Sequence, residues 1–103
     1  MLWNLSNNNL VHINIINDDD HKERNRTIME FIIDHIDYYN SEAAVHILRN
    51  VYEICTDKEM MCIIKIIKNE QIRSIKYIYL KCKENNLTNK IMLLNDVYHL
   101  EKL

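Results

Sequence analysis

At 103 residues the chain has room for one domain with a modest core, and it contains neither glycine nor proline. Without glycine, a phosphate-cradling loop and the nucleophile elbow of the hydrolases are excluded, since both need backbone approach that a Cβ blocks. The formal charge of −2 speaks against a polyanion binder, and no apolar run nears the ~18 residues of a bilayer span.

Residues 1–9 are rich in Asn and are expected to be loosely ordered. They lack the basic region and small-residue cleavage site of a secretory signal, so an intracellular, cytoplasmic location is expected. Helical periodicity takes over near residue 20. Asp20-x-x-Glu23 reads as a capping box, with the Asp20 carboxylate accepting from the first-turn N–H groups. Ile28, Ile32, Ile36 and Tyr39 then share one face, opposite Glu30, Asp34 and Asp37. Asn40 and Ser41 can close this helix and cap the next, which carries Ala44, Leu48, Val51 and Cys55 at helical spacing.

Thr56-x-x-Glu59 is a second capping box. It opens a segment from Met60 to Ile67 that is apolar nearly all round and is therefore predicted to be the most buried helix, ending at Asn69. Ile72, Ile75, Tyr79 and Cys82 stripe the following helix, opposite Arg73, Lys76, Lys81 and Lys83. Asn85-Asn86 can end it in a left-handed turn, and Thr88 can cap a last helix bearing Ile91, Leu94 and Tyr98. The expected fold is all-α: antiparallel helix pairs, arranged as a short solenoid or as a compact bundle of five to six helices with junctions of one to four residues.

Nothing in the pattern carries catalytic or metal chemistry. Cys55, Cys62 and Cys82 form no C-x-x-C pair, and Cys55 and Cys82 sit on apolar stripes as small hydrophobes. The five histidines show no ligand spacing, and pairings such as Cys55 with His46 or Cys82 with His99 would have to be assembled in space. Asp18, Asp19, Asp20 and His21 read as a solvated acidic turn favoured by a helix dipole. No cofactor, metal or enzymatic activity is expected. Charge is uneven: residues 1–60 carry 5 basic and 11 acidic groups, whereas residues 61–103 carry 8 and 4. The basic helices of 65–83 make a nucleic-acid-binding or regulatory bundle the alternative function.

The run Met61-Cys-Ile-Ile-Lys-Ile-Ile-Lys-Asn-Glu-Gln-Ile-Arg-Ser-Ile-Lys-Tyr-Ile-Tyr-Leu-Lys-Cys-Lys83 resembles an ankyrin repeat without a gap. Ile63-Ile64 stands at the L-H positions, Ile66-Ile67 at the small-residue positions, Ile75 at the Val and Ile78-Tyr79 at the paired Leu. Leu10–Asn14 and Ile28–His35 resemble the two helices of a second repeat, giving degenerate repeats at 10–38 and 61–84 within a single all-helical domain over 1–103. Every glycine of the pattern is replaced, which implies a distorted solenoid, and residues 41–60 have no clear place in it. Such Ile/Asn-rich repeats are similar to those of poxvirus and other large-virus ankyrin proteins, and the codon bias behind Ile and Asn fits an AT-rich genome.

The resemblance implies a scaffold that binds another protein, a host protein if the chain is viral, along inner helices and tips. The partner-binding residues it nominates are Asn14, Asp37, Tyr38, Lys65, Lys68 and Asn86. A two-repeat array is short for its own stability, so self-association into a homo-oligomer is expected to cover its ends. Neither nucleic acid nor a membrane is the expected partner.

Overall fold

No glycine is available to turn this chain, and the way its helices end follows from that. A computed structural model describes residues 19–102, with side chains from 22 to 101. Five α-helices account for most of the described residues: α1 (Asp19–Asp34), α2 (Ser41–Val51), α3 (Asp57–Ile64), α4 (Ile72–Glu84) and α5 (Thr88–Tyr98). Short 3-10 turns lie at Ile36–Tyr38, Asn69–Gln71 and Leu100–Lys102, and there is no strand among the described residues. The fold is all-α, as the periodicity predicts. The segments at 1–9 and Leu10–Asn14, and the side chain of Asp20, lie outside the described set.

Two helices begin as their sequences dictate. Asn40 Oδ1 accepts the Ala43 N–H at 2.8 Å and opens α2. At α3 the Thr56 hydroxyl accepts the Glu59 N–H at 3.1 Å while Glu59 Oε1 accepts the Thr56 N–H at 2.8 Å, a complete capping box. The other two starts differ. Gln71 and Leu87 precede α4 and α5 without a side-chain cap, and Thr88, the expected cap, is already the first residue of α5. The preceding turn is too tight to leave it outside: Thr88 donates its N–H to Asn86 O at 3.0 Å.

The helix ends fall into two kinds. α4 closes in a Schellman motif: Leu87 N–H reaches Cys82 O at 2.9 Å and Asn86 N–H reaches Lys83 O at 3.2 Å. Asn86, at φ 58°, takes the left-handed position that glycine usually fills, and His99, at φ 53°, does the same after α5. By contrast α2 and α3 run out into right-handed residues, Tyr52 and Lys65, and close in turns: Val51 O accepts the Ile54 and Cys55 N–H groups, and Ile64 O accepts the Ile67 N–H. Distant side chains add further donors at these ends. Lys90 Nζ reaches Tyr52 O at 2.5 Å, Arg26 Nη2 reaches Ile54 O at 2.5 Å, and the Tyr98 hydroxyl bridges Ile64 O (2.9 Å) and Ile67 O (3.0 Å).

These ties also stop α3 early. The segment predicted as one helix from Met60 to Ile67 leaves the helix after Ile64, and Lys65-Ile66 form a turn. Continuing would require the Lys68 N–H to bond Ile64 O. That N–H is instead given to Ser41 Oγ at 2.8 Å, and that carbonyl accepts the Ile67 N–H at 3.2 Å together with the Tyr98 hydroxyl. The most buried helix is accordingly α2, which buries Ala44, Val45, Ile47, Leu48 and Val51, whereas α3 leaves Met61 and Cys62 half-exposed. The junctions are longer than expected. Only Asn85–Leu87 is under five residues, because the others hold a 3-10 turn or an extra turn of chain.

α3 packs against both α1 and α5, while α2 packs against α3 and α4, and α4 against α5. Odd-numbered helices thus form one layer and α2 and α4 the other. The shared core runs between them through Met29, Ile32, Leu48, Met60, Ile63, Ile75, Ile78 and Leu94, all fully buried.

Candidate functional site: the cleft between α2 and α4

The layer of α2 and α4 carries one feature that the core does not explain. On α2, His46, Arg49 and Asn50 stand at i, i+3 and i+4 and so share a face. On α4, Arg73, Tyr77, Leu80 and Glu84 recur at i, i+4, i+7 and i+11, opposite the buried Ile75, Ile78, Tyr79 and Cys82. Where the two helices run side by side, His46, Arg49, Asn50 and Tyr77 line an open cleft of about 300 Å3. That volume suits one or two side chains of a partner, at the low end of ligand-site sizes.

Its electrostatics centre on the Tyr77 ring. The Arg49 guanidinium carbon lies 4.8 Å from the ring centroid and Lys81 Nζ lies 5.5 Å from it. Each such contact contributes roughly 0.5–1 kcal/mol at an exposed site and holds the cation in place. Lys81 also pairs with Glu84 at 3.2 Å, and this neighbour pushes the ammonium upward from its ordinary pKa. Neither ion pair between described residues includes Arg49. Tyr77 is 45% exposed and Leu80 50%, so an apolar strip stands beside the cations.

Of the nominated partner-binding residues, Asn14 lies outside the described set. Asp37 and Tyr38 sit on the 3-10 turn after α1, and Tyr38, 83% exposed, ends a run of rings: Phe31 to His35 at 4.3 Å between centroids, then His35 to Tyr38 at 6.1 Å. Lys65 and Lys68 are exposed in the α3–α4 connection. The Lys68–Ser41 hydrogen bond places that connection beside the start of α2, so these four residues gather at one end of the molecule. Asn86 is at the other end, where its left-handed backbone serves the Schellman turn. The nominated set therefore does not form one surface. Sequence reading missed Arg49 and Tyr77. The available signal was Tyr77 and Leu80 interrupting the charged face of α4 one turn apart.

The Cys and His groups named above stay separate. Cys55 and Cys82 are buried, and burial pushes each thiol up to about 11, so both remain protonated at neutral pH. His46 faces solvent on α2 while Cys55 points into the core, and His99 follows α5 at the end opposite Cys82. Among the described residues no three His, Cys, Asp or Glu side chains are grouped to hold a metal, and no helix is long and apolar enough to cross a membrane. In comparisons with known proteins, no family model, no curated protein and no solved structure matches the chain.

Proposed function

We propose that the chain is a protein-interaction module that docks a partner on its α2–α4 layer. The observation that carries this reading is the Tyr77–Leu80 strip, half-exposed beside an aromatic–cation cleft. Tyr and Arg are the residue types that dominate interface energetics, and here an arginine is held in position by the tyrosine it would act with. The repeat-scaffold reading rests on the α3–α4 pair alone, since α1, matched to the second helix of a repeat, packs with α3, matched to the first helix of the next. The inner-helix half of that resemblance fits less closely, since Ile66 and Ile67 stand in the connection after α3. On the viral resemblance the partner would be a host protein.

The test is capture of a stoichiometric partner by the immobilised chain from lysate of its native or host cells, repeated with Tyr77→Ala/Leu80→Ala and with Tyr38→Ala/Lys65→Ala. Loss of the partner with the first pair, at an unchanged melting temperature, is the expected result. Failure to retain any stoichiometric protein would end the interaction reading, and loss only with the second pair would move the interface to the tips.

A further inference from the structure

We infer that the α2–α4 cleft takes an acidic stretch of the partner, one in which a carboxylate stands next to an apolar side chain. The inference rests on the interaction reading above and narrows it to a ligand chemistry. Arg49 presents a planar fork matched to a carboxylate, and its stacking on Tyr77 fixes the fork before any ligand arrives, which reduces the ordering cost of binding. Lys81 supplies a second cation at the same ring, although Glu84 already shares its charge. His46 and Asn50 line the wall nearest Arg49 and offer further hydrogen-bonding groups. Leu80, one turn from Tyr77 and half-exposed, provides the apolar contact.

The surrounding charges decide the class of ligand. Arg73 and Lys76 extend the basic side of α4, while the exposed Glu42 on α2, Glu53 in the turn after it and Glu84 on α4 add carboxylates around the same layer. A nucleic-acid strand carries a phosphate about every 3.4 Å and would meet those carboxylates as well as the cations. A peptide that places one or two carboxylates at Arg49 and an apolar residue on Tyr77 and Leu80 avoids them. The cleft, at about 300 Å3, also fits a side chain better than a stacked base with its backbone.

The experiment is fluorescence anisotropy of the full chain with three labelled probes: a short peptide of alternating Glu and Leu, the same peptide with Gln for every Glu, and a single-stranded DNA of equal charge. The Glu peptide should saturate, and the Gln peptide should bind about ten-fold more weakly or worse. Arg49→Glu should weaken the Glu peptide by a similar factor, with Arg49→Lys recovering part of the loss. Lys58→Glu makes the same charge change at an exposed position outside the cleft and should shift affinity by less than about two-fold. The inference is overturned by equal binding of Glu and Gln peptides, by no saturable binding of the Glu peptide, by equal losses at Arg49 and Lys58, or by tighter binding of the DNA. Should Arg49→Glu not fold, the contrast between the two peptides on the native chain decides. Any of these failures, alongside a captured partner that Tyr77→Ala/Leu80→Ala still releases, removes the acidic ligand and leaves the interaction surface standing.

Discussion

The hairpins α2–α3 and α4–α5 are close in size and packed side by side, yet they are secured by opposite means. Both helices of the first start on local side-chain caps, Asn40 and Thr56, and both run out into right-handed turns at Tyr52 and Lys65. Both helices of the second start without a side-chain cap and end in left-handed residues, Asn86 after α4 and His99 after α5. The second hairpin then sends Lys90 and Tyr98 back to Tyr52 O, Ile64 O and Ile67 O. The difference teaches that, without glycine, these helix ends close in two ways: on a left-handed Asn or His, or in right-handed turns to which distant side chains add donors. α2–α3 takes the second course and is tied to α5.

Removing the borrowed donors should give the largest effects. Lys90 is a nearly buried ammonium on the carbonyl end of α2, where the helix dipole also favours a cation. Lys90→Ala removes that donor and the packing of its stem, and should cost about 2–3 kcal/mol, read from the urea unfolding midpoint. A loss under about 0.5 kcal/mol would mean that water replaces the ammonium and the hairpins are independent.

Tyr98→Phe keeps the ring and deletes only the hydroxyl that two carbonyls share, so about 1–2 kcal/mol should go. The same hydroxyl predicts a pH effect. Burial pushes the Tyr98 phenol from 10.0 up to about 12, and those of Cys55 and Cys82 from 9.0 up to about 11. These groups keep their protons in the fold while the unfolded chain gives them up. Stability should therefore be intact below about pH 9 and fall progressively between about 9 and 12. Tyr98→Phe should flatten that decline above pH 10, as followed by circular dichroism; an unchanged slope would detach Tyr98 from it.

Local caps should matter less. Thr56→Ala leaves the Glu59 N–H without its acceptor and should cost about 1 kcal/mol. The effect should fall near the top of the range for caps, because Glu59 also anchors Arg26 at 3.0 Å and so ties α1 to this turn. The smallest change should be a gain. Asn86→Gly relieves the left-handed backbone at φ 58° and should add a few tenths to about 1 kcal/mol, whereas Asn86→Val should lose about 1–2. A neutral Asn86→Val would show that the turn rearranges without cost.

Some of this molecule was legible in its residues. The Asn40 cap, the Thr56 capping box, the left-handed turn at Asn86 and the inward stripe of α4 all follow from groups within a few positions of one another. The cleft was not legible, because Arg49 and Tyr77 lie on different helices and meet only through the packing of α2 on α4. Nor was the scatter of the nominated surface: Lys65, Lys68 and Tyr38 come together through Ser41, while Asn86 is drawn to the far end by the turn it makes.

By itself the sequence determined an all-helical chain, the starts of α2 and α3 and the left-handed turn at Asn86, since these depend on hydrogen bonds and sterics within one turn. The tertiary structure alone decided where α3 stops, that α2 is the most buried helix, and that a cationic aromatic cleft opens between α2 and α4. The reason is physical distance along the chain. Lys68 finds Ser41 27 residues away, Tyr98 finds Ile64 34 away and Lys90 finds Tyr52 38 away, and no local pattern encodes those partners.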